Sequence, residues 1–179
     1  QDNIINFPHK EWIEAGIKIM REKSAESISI DAICEVMNKQ EKDFLLCFNG
    51  LESYIYSLLD YWYEKEILSY IGIFDEFEGD ARDSLLYMIE FFHYVDKKDE
   101  IAIRNMALKC PNALKALTKV DRTRLDVGTG LFKEMGFTEK ESVSRAKILY
   151  TSMIGVEYTS VTSSLEQKIV LCELLMKQS

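Results

Sequence analysis

Residues 28 to 52, Ile-Ser-Ile-Asp-Ala-Ile-Cys-Glu-Val-Met-Asn-Lys-Gln-Glu-Lys-Asp-Phe-Leu-Leu-Cys-Phe-Asn-Gly-Leu-Glu, constrain the fold more than any other stretch. They read as two short helices with a tight break between them. Ser29 is placed to cap the first helix by accepting from a free backbone N–H one turn on. Ile30, Ile33 and Val36 or Met37 follow on one face at helical spacing. Asn38 stands where a left-handed residue is wanted, a conformation Asn tolerates better than most residues. A second helix starts at about Gln40, with Phe44 and Phe48 one turn apart on its buried side. Helix, short turn and second helix is the arrangement that sets a recognition helix in a DNA groove. Every helical bundle contains helix pairs, so the flanking residues must carry the distinction.

The rest of the composition agrees with an all-α fold. Apolar residues make up 47% of the 179, with only 2 Pro and 8 Gly to interrupt helices. A chain of this length buries roughly 70% of its unfolded surface and needs no staples. No run of 18 uninterrupted apolar residues exists, so no membrane span is expected. The N-terminus lacks a signal-peptide pattern, and a cytoplasmic location is expected. Cys34, Cys47, Cys110 and Cys172 are scattered in apolar contexts without CxxC spacing, which reads as reduced core cysteines and no metal site. The net charge of −8 argues against phosphate binding, which needs clustered cations. The first 50 residues are no exception: six Lys or Arg stand against nine Asp or Glu, a net of −3.

Residues 12 to 55 resemble, without a gap, the N-terminal DNA-binding region of the TetR family of bacterial transcription regulators. Trp12, Ile13, Ala15, Ile19 and Met20 match its first helix in kind. Ser29, Ile33, Phe44, Phe48 and Glu52 fall where the family puts its capping hydroxyl, core residues and a common acidic residue. The departures lie on the DNA-facing chemistry. Ser24, Asn38 and Lys42 replace the usual glycines, Leu45 the Tyr that touches a phosphate, and Leu51 the usual Lys. The recognition helix is therefore degenerate. In the second half, Ala102 to Leu108, Pro111, Ala113, Val120-Asp121, Arg124-Leu125, Leu131-Phe132, Met135-Gly136-Phe137, Ala146, Leu149-Tyr150 and Gly155 resemble the regulatory domain of one large TetR subgroup, which often has Trp at the Met106 position. The resemblance implies about nine helices: a helix-turn-helix domain over residues 1–50, then a ligand-binding and dimerisation domain over residues 51–179.

Taken in order, residues 1 to 8 are polar and expected to be loose. Helix one is expected from Pro8 to Lys23, with Gly16 in its buried stripe, and helices two and three over 29–37 and 40–47. Helix four should run from Gly50 to about Ile71, followed by an acidic loop over 74–82 that reads as solvated rather than metal-binding. Helix five, over 80–95, carries Leu85, Leu86, Met88, Ile89, Phe91, Phe92 and Tyr94, apolar almost all round and so expected to be central. His93 reads as an edge histidine, since no nucleophile or acid is placed to form a triad. Helix six follows over 99–109. Pro111 opens helix seven and Gly136 closes it. Gly128-Thr129-Gly130 lacks the strand and the following Lys-Ser or Lys-Thr of a phosphate loop and reads as two close-packing helical glycines. Thr138 and Glu141 form a capping box for helix eight, expected over 138–160. Helix nine, expected over 163–177, is apolar on more than one face and should be buried against its own domain and against another chain.

The resemblance implies a repressor that binds a palindromic operator in double-stranded DNA as a homodimer, with no enzyme activity and no cofactor. Ser29, Lys39, Gln40, Lys42, Asp43 and Leu46 are the expected DNA-binding positions. A small apolar or aromatic ligand is expected among Tyr61, Met88, Phe91, Phe92, Met106, Tyr150 and Met153, biasing the spacing of the DNA-binding domains. Gly155, Tyr158, Leu165, Ile169, Cys172 and Met176 are the expected dimer positions. A second reading keeps the fold and drops the DNA, because Glu41 and Asp43 on helix three repel phosphates. The protein is then a ligand- or protein-binding module.

Overall fold

The computed structural model describes residues 7–75 and 77–178. Among the described residues there are nine α-helices and no strand: α1 (Lys10–Glu22), α2 (Ile30–Met37), α3 (Glu41–Cys47), α4 (Leu51–Asp75), α5 (Ala81–Tyr94), α6 (Lys98–Ala107), α7 (Pro111–Glu134), α8 (Glu139–Gly155) and α9 (Leu165–Met176). Short 3₁₀ turns lie at Ala25–Ser27 and Val156–Tyr158. The all-α expectation holds. Residues 1–6 of the expected loose terminus, and Glu76 of the acidic loop, lie outside the described residues.

Local capping chemistry fixes the helix ends. The Ser29 hydroxyl accepts from the Ala32 N–H at 3.1 Å. Asn38 takes the left-handed conformation (φ 51°, ψ 48°), and the Lys39 N–H closes back on the Cys34 carbonyl. Gly136 (φ 93°) ends α7, where a side chain would be strained. The Thr138 capping box forms, with the Thr138 N–H donating to Glu141 Oε2 at 3.0 Å. Ser164 and Gln167 make a second box at α9 that starts the helix later than expected.

Four expectations change. Helix one begins at Lys10, because His9 adopts a left-handed conformation (φ 57°) and its carbonyl takes the first helical N–H groups. Helix α4 runs on to Asp75, into the stretch expected as loop. Helix α8 ends at Gly155, five residues early, and gives way to the 3₁₀ turn. Helix α5 is not central: Leu85, Met88 and Ile89 are buried, Leu86, Phe91 and Phe92 are half-buried, and Tyr94 is 74% exposed.

The chain packs as two compact units, residues 1–69 with 96–120 and residues 70–95 with 121–179. In the first, Trp12, Ile13, Ile33, Phe44, Tyr54, Leu58, Trp62 and Ile103 belong to one core. Gly16 makes that core possible. A Cβ there would stand 2.9 Å from Leu58 Cδ1 and would collide with the Tyr54 hydroxyl, which donates to the Trp12 carbonyl at 2.7 Å. In the second, Leu85, Met88, Phe132, Phe137, Leu149, Met153, Cys172 and Met176 share a core. Gly128 lies against Ala146 there, as close packing requires, whereas a Cβ on Gly130 would meet open space. All four cysteines are free thiols.

Candidate functional site: helix-turn-helix head and regulatory core

Helix α3 has only 7 residues, too few to be stable alone, and is held from behind. Its Phe44 is fully buried against Trp12, Phe48 and Tyr54, with ring centroids 5.8, 5.2 and 5.5 Å away. Such aromatic contacts add about 0.5–1.5 kcal/mol each beyond area burial. The anchoring leaves the opposite side to solvent. Lys39, Gln40, Glu41 and Lys42 are exposed, and so are Leu45 (51%) and Leu46 (85%).

Two of the expected DNA contacts have another task. Ser29 caps α2, and the Asp43 carboxylate accepts from the Gln40 backbone N–H at 3.0 Å, capping α3 from within. Asp43 is half-buried in that role, so Glu41 is the acid that stands fully outward. The acidic field is felt nearby. Burial, followed by the carboxylates of Asp31, Glu41 and Asp43, pushes the Cys34 thiol above its ordinary range.

The expected ligand residues are divided between the two units. Tyr61 and Met106 sit in the core of the first unit, and the Tyr61 hydroxyl donates to Glu14 Oε1 at 3.2 Å. In the second unit, Met88 and Met153 are core residues, with Phe92 packed against them and Phe91 edge-on to Phe92 at 5.2 Å. Tyr150 donates to Asp121 Oδ1 at 2.6 Å and accepts from Arg124 Nη1 at 3.5 Å. The buried Arg124 guanidinium lies 5.9 Å from the Phe92 ring centroid. Burial pushes the Tyr150 phenol up to about 12; Arg124 opposes the shift and the hydrogen bond to Asp121 adds to it. A second polar contact joins buried Lys168 to His93, Nζ to Nδ1 at 3.2 Å. Arg124, Asp121 and Lys168 were not among the expected ligand residues. The three-residue spacing of Asp121 and Arg124 on α7 was a usable signal for the first two.

The expected dimer residues divide as well. Cys172 and Met176 point into the core, in line with Lys168 at four-residue steps along α9. Leu165, Ile169 and Gly155 are half-buried, and Tyr158 is exposed. The outer side of α9 instead carries Val170 (48% exposed) and Leu174 (55%). On α8, Ile148 is also exposed.

No family model matches the chain, and no curated protein matches it. Solved structures do. A TetR/AcrR family member superposes with a TM-score of 0.77 over 94% of this chain and 97% of its own, at 11% identity. The TetR-type fold is this chain's fold. A transcriptional regulator from Rhodococcus sp. Rha1 superposes at a TM-score of 0.73, covering 93% and 92% at 14% identity. The multidrug binding protein EbrR, complexed with imidazole, superposes at 0.65, covering 95% of each chain at 12% identity. None of the described helices is long and apolar enough to cross a membrane.

Proposed function

We infer that this protein is a cytoplasmic TetR-type transcriptional regulator, acting as a repressor. It binds operator DNA as a homodimer through α2 and α3, and a small ligand controls it. The observation that carries the reading is α3 itself. It is a short helix anchored by one buried aromatic residue, with Lys39, Gln40, Lys42 and Leu46 turned to solvent, on a fold shared with transcriptional regulators. Residues 1–50 serve as the reading domain and 51–179 as the ligand and dimerisation domain. In the second unit, Phe91, Phe92 and Tyr150 favour an aromatic ligand, and EbrR offers a precedent of the same fold that binds drugs. Arg124 beside Phe92 and Tyr150 adds a cation and hydrogen-bond donors, which suit a ligand with one acceptor group. The outward Ile148, Val170 and Leu174 on α8 and α9 supply the dimer face.

A second reading, a TetR-fold module that has lost DNA binding, draws on the outward Glu41 and the exposed Leu45 and Leu46. Fluorescence anisotropy with DNA from upstream of the protein's own gene, across a salt series, separates the two. The regulator binds tightly, outcompetes random DNA and loses affinity steeply with salt, and Lys42→Gln lowers the salt slope by about 1. The module shows no binding at about 50 mM salt to that DNA or to a genomic fragment pool.

A further inference from the structure

Within the first unit, the C-terminal end of α1, the 3₁₀ turn that follows it and α6 enclose an open cleft of about 230 Å³. Met20, Ile101 and Ala102 give it an apolar lining, and Ser24 and Asn105 add hydrogen-bonding groups. Its charged lining is Arg21, Lys23, Lys98 and Glu26. Arg21 is held by Asp96 and, at 3.1 Å, by Asp99, which Lys65 also approaches at 3.4 Å. Glu26 is drawn to Lys109 at 3.3 Å. Taking the lining charges together with these partners, five cations stand against three carboxylates. The lining itself carries Arg21, Lys23 and Lys98 against Glu26, a local excess of cations on a chain of net −8. Lys23 and Lys98, both exposed, contribute to that excess from two different elements, with the Lys98 charge also felt by Asp96.

We propose that this cleft binds a small organic dianion, a dicarboxylate or a phosphate monoester. Lys23 and Lys98 hold its charges, and its carbon skeleton lies on Met20, Ile101 and Ala102. An ammonium is a compact point charge that donates to carboxylate and phosphate oxygens alike, so the two chemistries share the site. The ligand ties α1 to α6. Trp12 of the same α1 packs on Phe44 of α3, so the tie reaches the helix-turn-helix. The site lies apart from the DNA-facing residues and stands or falls separately from the regulator reading.

The test is amide chemical-shift titration of the full chain with succinate and, separately, with glycerol 3-phosphate, at constant ionic strength against sodium chloride. Saturable shifts confined to Ser24, Ala25, Ile101, Ala102 and Asn105 are expected. Saturation by one probe alone identifies the source, and saturation by both establishes the shared chemistry. The Lys23→Gln/Lys98→Gln double variant, whose changes are solvent-exposed, keeps its spectrum elsewhere and binds about tenfold more weakly. Shifts that never saturate, that match those from chloride, or that saturate equally in the double variant overturn the proposal.

Discussion

Helices α3 and α9 both leave large apolar side chains in solvent, yet they are built on opposite plans. Helix α3 hangs on a single fully buried residue, Phe44, and the exposed Leu45 and Leu46 share its outer side with Glu41 and Lys42. Helix α9 has a complete inner stripe in Lys168, Cys172 and Met176, so Val170 and Leu174 on its other side are surplus to its own unit. A side that mixes charge with apolar groups suits a polar, charged partner such as a DNA groove. A side that repeats aliphatic residues one turn apart suits another helix. The same residue type thus marks two different surfaces, and the neighbours decide which.

Four substitutions break or sharpen that contrast, from the largest effect down. Phe44→Ala removes the one anchor of α3 and costs about 3–5 kcal/mol, read as a lowered urea midpoint. The double change Val170→Glu/Leu174→Glu sets like charges on the proposed dimer face. Sedimentation velocity then shows monomers, with dimer affinity down by about 100-fold, while the melting of the monomer barely moves because both residues are half-exposed. If dimers persist, α9 is not the interface. Asp43→Ala deletes the internal cap of α3 and costs about 1 kcal/mol in the same urea experiment. A neutral result there would return Asp43 to the reading surface.

The smallest effect is on pH dependence. The hydrogen bond from the Lys98 backbone N–H is the main cause that holds the Asp96 carboxyl below its ordinary range; burial opposes it, and the charges of Arg21 and Lys98 add to the lowering. A depressed carboxylate stabilises the fold above its unfolded pKa, and that contribution is lost as pH falls through the folded value. Asp96→Asn therefore makes the fall in stability below about pH 5 shallower. An unchanged profile would mean that the ionised Asp96 carboxyl, with its Lys98 and Arg21 contacts, contributes nothing measurable.

The capped helix ends and the inner face of the head were legible because their causes are local. Ser29, Asn38, Gly136 and the Thr138–Glu141 box act within one turn of chain, and Phe44 and Phe48 follow a period that sequence displays directly. The exposure of Lys39, Gln40, Lys42 and Leu46 follows from the same period. The expected ligand and dimer residues were much less legible. Helix α9 is apolar on several sides, and periodicity alone does not say which side turns inward, so Cys172 and Met176 were expected at an interface and lie in the core. Tyr61 and Met106 were expected to share a site with Met88 and Phe92, yet they pack in the other unit.

By itself, then, the sequence determined an all-α chain, its caps and breaks, and a helix-turn-helix whose outer side mixes charged and apolar residues. These are decided within a few residues, by backbone hydrogen bonds and helical repeat. Tertiary structure alone decided that Tyr150 would meet Asp121 and Arg124 across α7 and α8. It also decided that Gly16 would admit Tyr54, and that α1 and α6 would bring Arg21, Lys23 and Lys98 to one cleft. Each joins groups distant in sequence, and only the packing that buries the two cores fixes which of them meet.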